Sequence, residues 1–238
     1  MDNLFNSLQP SDDSTLWRFM DLFKFVDLIT SKELTLVNLT AMKDPYEGVL
    51  HSSIELQWTD LYGNPTGQPT GDINQVLNDG TRKILFISCW HENEFESAGM
   101  WDTYGSQNGI AIKTNVRKLK KSIQYHNYNE MDLLKVNYYK NSEDYFTPNR
   151  TPSHIYTGLV NKRISFEHEK EVRLIWHPRD YENQMPTVRK LNIDIKELIE
   201  CIYLSPLFEQ WQLNSLKELI NQLGIDIPIK KSDLYELK

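Results

Sequence analysis

The end of the chain places the tightest limit on its fold. Cys201-Ile202-Tyr203-Leu204-Ser205 reads as a strand, Leu207 to Leu223 carries a helical apolar pattern stopped by Gly224, and Ile227-Pro228-Ile229-Lys230 reads as an edge strand. Two strands joined by a helical crossover of this length pair in parallel, and the connection is right-handed in nearly every case. The chain therefore ends in a βαβ unit, and the preceding residues must supply a sheet that can accept it.

They do so with short strand signals. Leu16-Trp17-Arg18-Phe19-Met20 precedes Leu22, Phe25, Val26 and Ile29 at helical spacing, with Asp21 as N-cap and an end near Lys32. Strands are expected at Lys83 to Trp90, Gly109 to Thr114, Leu133 to Tyr139 and Glu169 to Trp176. Short helices are expected at Met100 to Gly105 and Ile155 to Arg163, with Asn141 to Thr151 as loop. The sum is an α+β fold: one domain over 1–238, built around a mixed, partly antiparallel sheet with flanking helices. Tyr62 to Gly71 holds two Pro and three Gly, so residues around 60–80 read as an exposed excursion from that domain.

Bulk chemistry narrows the partners. With 238 residues and 39% hydrophobic content the chain can bury a sizeable core. A net charge of -7 and a pI near 5.4 leave no broad basic surface for duplex nucleic acid. Two cysteines in apolar runs, Cys89 and Cys201, and an N-terminus without a basic, then apolar, leader point to reduced thiols and a cytoplasmic protein. No apolar run reaches the roughly 18 residues that a membrane span requires.

The chemistry concentrates in Phe166-Glu167-His168-Glu169-Lys170-Glu171-Val172-Arg173-Leu174-Ile175. Side chains alternate along a strand, so Glu169, Glu171 and Arg173 are expected on one face and Val172, Leu174 and Trp176 on the other. Together with Arg18 and Ser88-Cys89-Trp90-His91-Glu92, this segment suggests an anion-binding cleft that bears carboxylates. The chain has no phosphate-cradling Gly-rich loop, no His-Glu-x-x-His and no G-x-S-x-G elbow. Cys89 and His91 with Glu92 and Glu94 supply part of a metal site at most.

The blocks Leu16 to Met20, Asp44-Pro45-Tyr46-Glu47-Gly48, Ser88 to Glu92, Met100-Trp101-Asp102-Thr103-Tyr104-Gly105, Gly109 to Lys113, Lys162-Arg163 with Phe166 to Leu174, and Tyr203-Leu204-Ser205-Pro206 resemble, in order, the motifs of the bacterial domain-of-unknown-function family 2971. A second resemblance supplies a reaction. Arg18, then Ser88, then Glu169-Lys170-Glu171-Val172 is similar to the Arg-Ser-Glu signature of ADP-ribosyltransferases, with Ser-Cys-Trp standing where that family usually has Ser-Thr-Ser.

That resemblance implies an NAD-consuming transferase or glycohydrolase, in the setting of bacterial conflict or phage defence. NAD would be a substrate, no cofactor is expected, and the partner would be a macromolecular acceptor or a protein. Glu171 would stabilise the cationic ribose, Glu169 would orient or deprotonate the acceptor, Arg18 would hold the phosphates and Ser88 would join the two halves of the cleft. Trp90, Trp101 and Tyr104 are candidates for ring stacking, with His91, Lys113 and Arg163 as further substrate contacts. Each role has a structural competitor. Arg18 can be the ion-pair partner of Glu169 or Glu171, and the charged face can be a salt-bridged strand surface. A non-catalytic nucleotide- or protein-binding module is the alternative function.

Overall fold

The computed structural model describes residues 5–49, 80–105, 107–123, 130–144, 154–179 and 186–237. The excursion expected around 60–80 lies, apart from its last residue, outside the described residues. β1 (Thr15–Asp21) passes directly into the helix Leu22–Ser31, because the Asp21 carboxylate accepts a hydrogen bond from the Lys24 amide and satisfies a free helix-terminal donor. Phe25, Leu28 and Ile29 form the buried stripe of that helix, which stops at Lys32 in the left-handed conformation, φ 57°. β2 (Glu33–Asn38) follows and alternates strictly between half-buried and buried residues.

The remaining strands are β3 (Phe86–Glu92), β4 (Gly109–Asn115), β5 (Met131–Lys135), β6 (Asn137–Tyr139), β7 (Asn161–Arg163), β8 (Glu171–Trp176), β9 (Val188–Asn192), β10 (Cys201–Leu204) and β11 (Ile229–Lys231). Nine of them form one sheet in the path β11-β10-β4-β1-β3-β2-β9, with β8 paired to β3 and β5 paired to β8. All its pairs are antiparallel except β10 with β11. The expected C-terminal βαβ unit is thus present, its two strands parallel and β11 at the edge. β6 and β7 make a separate parallel pair.

Several expected boundaries move. Residues 80–84 are helical, so β3 starts at Phe86 and not at Lys83. The Leu133–Tyr139 strand breaks at Val136 into β5 and β6, which serve different sheets. The helix expected from Ile155 to Arg163 ends at Val160, and Asn161–Arg163 becomes β7. β2 and β9, which carry weak local signals, pair with each other through Glu33–Val37.

β3 organises the site. β8 occupies one of its edges from Phe86 to His91. On the other edge β2 pairs only with Phe86 and Ile87, and β1 only with His91 and Glu92. Between them β1 and β2 diverge, and Ser88, Cys89 and Trp90 border a split in the sheet. The main core packs on one face, with Leu16, Phe86, Trp90, Val172 and Leu174 against the helices. Two smaller clusters cover the other face, one around Ile87, Leu134 and Ile175, the other around Trp17, Phe19, Met100 and Trp101. Fully burying each large apolar side chain contributes about 1.5–3 kcal/mol, so packing on both faces stabilises the sheet around the split.

Candidate active-site cleft

A cleft of about 930 Å³ opens over the split. Its lining includes Arg18, Ser88, Trp90, His91, Tyr104, Glu169 and Glu171 from the sequence reading, and also Glu47, Lys162 and Phe166. Cross-strand partners share a face of a sheet. His91 opposes Glu171, Cys89 opposes Arg173 and Trp17 opposes His91, so these residues occupy one face; Ser88 opposes Leu174 and occupies the other.

On the first face five charged groups interlock. The Lys162 ammonium bonds Glu169 Oε2 at 2.5 Å and Glu171 Oε1 at 2.8 Å, with Glu47 Oε2 at 3.6 Å. Arg173 is 0% exposed; its Nε donates to Glu171 Oε2, its Nη1 to the Leu159 carbonyl, and its Nη2 lies 2.5 Å from Glu47 Oε1. That last contact is an ion pair outside hydrogen-bond geometry, since neither atom has a hydrogen-bond partner among the described residues. A buried guanidinium is costly to desolvate, and two carboxylates with a carbonyl offset that cost.

Glu169 does not lie on the strand. It ends the 3₁₀ segment Ile164–Glu169, and Lys170 at φ 41° turns the chain into β8, so Glu169 and Glu171 converge on Lys162 through a bend and not by strand alternation. Tyr104, 45% exposed, donates from its hydroxyl to Glu169 Oε1 at 3.1 Å. It lies in a one-turn π-helix, Trp101–Gly105. Tyr138 accepts from the Glu171 amide at 2.8 Å.

These surroundings separate the two carboxyls. Burial and the adjoining Glu171 carboxylate raise Glu169 to about 7. Burial also works against ionising Glu171, but Arg173 and then Lys162 outweigh it and hold its carboxyl far below the usual range. Lys162 is held charged by Glu171 and Glu47 in spite of burial. Burial and Glu171 push the Cys89 thiol well up, which makes it a poor nucleophile.

At the split the chemistry reverses. Arg18 Nη2 donates to the Thr35 carbonyl at 3.1 Å, bridging β1 and β2, and the guanidinium sits 5.6 Å from the Trp90 ring centroid. Among the described residues no carboxylate pairs with it, so the anticipated Arg18 bridge to Glu169 or Glu171 is not formed; Lys162 and Arg173 take those partners. Burial without a counter-charge lowers Arg18 to about 10. The Ser88 hydroxyl and Trp90 indole N–H are buried and lack hydrogen-bond partners among the described residues.

His91 Nδ1 contacts the Glu169 carbonyl at 2.6 Å; a carbonyl can only accept, so Nδ1 carries the proton. The other expected contacts lie outside the cleft lining. Lys113 pairs with Glu200 and lies over Trp17; Trp101 packs edge-on to Phe19 and donates to Glu96; Arg163 pairs with Asp44 between Tyr46 and Phe166. Among the described residues no cluster of His, Cys, Asp and Glu is arranged to hold a metal, so Cys89, His91, Glu92 and Glu94 do not assemble one. No helix among them is long and apolar enough to cross a membrane.

Lys162 and Glu47 are the groups that sequence reasoning missed. Both stand in motifs already singled out, Lys162-Arg163 and Asp44-Pro45-Tyr46-Glu47-Gly48, but no local pattern announces which of two nearby charges turns inward.

Residues 100–174 match the model of a family described as a protein of unknown function (DUF2971). The match spans Tyr104, Lys162 and the Glu169–Arg173 segment, and leaves the Arg18 and Ser88 blocks outside it. No curated protein matches. Among solved structures, Thermus sp. 2.9 DarT in complex with NAD+ aligns at a TM-score of 0.40 and 6% identity, covering 94% of this chain and 98% of that chain. The same protein in complex with ADP-ribosylated ssDNA aligns at 0.39 and 7% identity, covering 93% and 94%.

Proposed function

We propose that the protein cleaves the nicotinamide–ribose bond of NAD and passes the ADP-ribosyl group to an acceptor or to water. One observation carries this reading: Arg18, a cation without a counter-ion among the described residues, lines the same cleft as the Glu169–Glu171 carboxyl pair that Lys162 joins. The guanidinium suits the diphosphate of a dinucleotide, because its planar fork can bond two oxygens and stays charged on burial. In the reaction the C1′–N bond breaks with its electron pair going to the nicotinamide nitrogen, and positive charge develops on the ribose. With Glu169 ionised, the cluster of three carboxylates and two cations beside it carries an excess negative charge that favours this state over the ground state. Glu169, in its ionised form, takes the proton of the attacking hydroxyl. Tyr104 orients it.

A second reading has its own support. Both Glu171 oxygens are already bonded by Lys162 and Arg173, as they would be in a module that binds a nucleotide or protein partner without turnover. Nicotinamide release from NAD, with and without candidate acceptor macromolecules, separates the two when unmodified protein is compared with Glu171→Gln and Glu169→Gln. Turnover abolished by both changes supports the enzyme. Binding of NAD with no turnover in the unmodified protein defeats it and favours the module. A role as a conflict or defence effector belongs to the first reading, and growth arrest on expression that is relieved by Glu169→Gln would support it.

A further inference from the structure

The charge count of the buried cluster is unequal. Glu47, Glu169 and Glu171 face Lys162 and Arg173, so three carboxyls share two cations. Glu47 reaches the cluster from the turn Asp44-Pro45-Tyr46-Glu47-Gly48. That turn is locked in place: Asp44 pairs with Arg163, Gly48 stands at φ 75°, and a Cβ on Gly158 would come within 2.4 Å of the Gly48 carbonyl. Glu47 is 4% exposed and touches both cations, Arg173 at 2.5 Å and Lys162 at 3.6 Å. It competes with Glu169 and Glu171 for the same positive charge.

We infer that Glu47 is a positioning residue that keeps one proton on Glu169 at neutral pH. The Lys162 ammonium contacts both Glu47 Oε2 and Glu169 Oε2, so these oxygens lie within about 6 Å of each other. A third buried negative charge at that range, drawing Lys162 and Arg173 toward itself, disfavours a second and third carboxylate ionising together. Glu169 itself meets Lys162 from β7, Tyr104 on the π-turn and, through its carbonyl, His91 from β3, with Glu171 beside it; Arg173 from β8, Tyr138 from β6 and Cys89 from β3 complete the cluster around Glu171. The two cations favour the carboxylate; Glu171 and burial favour the acid. Burial and Glu171 already raise Glu169 to about 7, and Glu47, held against both cations, tips the remaining balance toward the acid.

The test follows the Glu169 carboxyl by carbon NMR in the full chain labelled at glutamate, with Glu169→Gln identifying the resonance. In Glu47→Gln the titration midpoint should fall by roughly one to two pH units, the interaction expected of like charges about 6 Å apart in a partly screened interior. Glu47→Asp keeps the charge and should leave the midpoint near that of the unmodified protein. An unchanged midpoint in Glu47→Gln overturns the inference, as does an equal fall in Glu47→Asp or an unmodified Glu169 that is fully ionised above pH 5. If Glu47→Gln does not fold, the unmodified protein decides: the Glu47 carboxyl resonance should stay that of the ionised form across the range in which Glu169 titrates, and a Glu47 that takes the proton in place of Glu169 overturns the inference.

The consequence for turnover, a base that is only partly ionised at neutral pH, rests on the proposed function, but the titration is read on the resting protein. A chain that never cleaves NAD yet shows these shifts loses the function and keeps the inference.

Discussion

Replacing Lys162 with Met keeps the unbranched apolar stem but removes the ammonium that holds Glu169, Glu171 and Glu47 together. Deleting one partner from a buried ion-pair network costs about 3–5 kcal/mol. For a domain of this size that is a fall in Tm of about 6–20 °C. The cost should depend on pH, and its sign can be worked out. The folded-state pKa of Glu169 is raised to about 7, so the folded chain binds more protons than the unfolded chain between the ordinary carboxyl range and 7. Stability from that proton is complete at low pH and is lost as pH rises to about 7. Without Lys162 the carboxyl must hold its proton higher still, and the loss continues past 7 by up to about 1.4 kcal/mol per pH unit. The gap between the two proteins should therefore widen by about 2 kcal/mol from pH 6 to pH 8.5. Urea unfolding at those two pH values measures it. A gap below about 1 kcal/mol, or one that does not change with pH, would refute the claim that these groups form a mutually dependent buried network.

Further outcomes are expected. Arg18→Gln should weaken NAD-type dinucleotide binding by about 10- to 100-fold, the range of a lost charge-assisted contact of roughly 1.5–3 kcal/mol, while Tm shifts little because only the Thr35 bond and the contact with the Trp90 ring are lost and no ion pair is broken; calorimetric titration reads the first and thermal unfolding the second. Turnover should rise with pH through about 7 and level off above it, since Glu169 acts as a base when ionised, and Glu169→Gln should remove that limb along with most of the rate. Gly48→Ala should destabilise the fold by more than 1 kcal/mol, because its φ of 75° disfavours a side chain and the added Cβ would meet Leu39 Cδ1 at 2.3 Å; an alanine variant as stable as the parent would show that the turn can relax.

Local patterns carried a large part of the fold. Asp21 announced its helix because a capping carboxylate acts over three residues, and the C-terminal βαβ unit was legible because strand, helix and Gly224 stop follow from short-range periodicity. The chemical segment was legible too, since charges of both signs in Glu169–Arg173 stand out from an apolar run. What failed was any inference that needed two distant segments at once. β2 and β9 are strands chiefly because they pair with each other. Alternation placed Glu169 on β8, but Lys170 in the left-handed region breaks the alternation and brings the carboxyl to Lys162 by another route.

The sequence by itself determined that this chain would make an α+β sheet with a parallel C-terminal appendage and would concentrate acid and base near residue 170, because propensity, capping and periodicity act over a few residues. Tertiary structure alone decided the partners. It opened β3 between β1 and β2, left Arg18 without a carboxylate among the described residues, and turned Lys162 and Glu47 inward in preference to Arg163 and Asp44. Which cation neutralises which carboxylate depends on distances of a few ångströms between segments far apart in the chain, and those distances are set by packing.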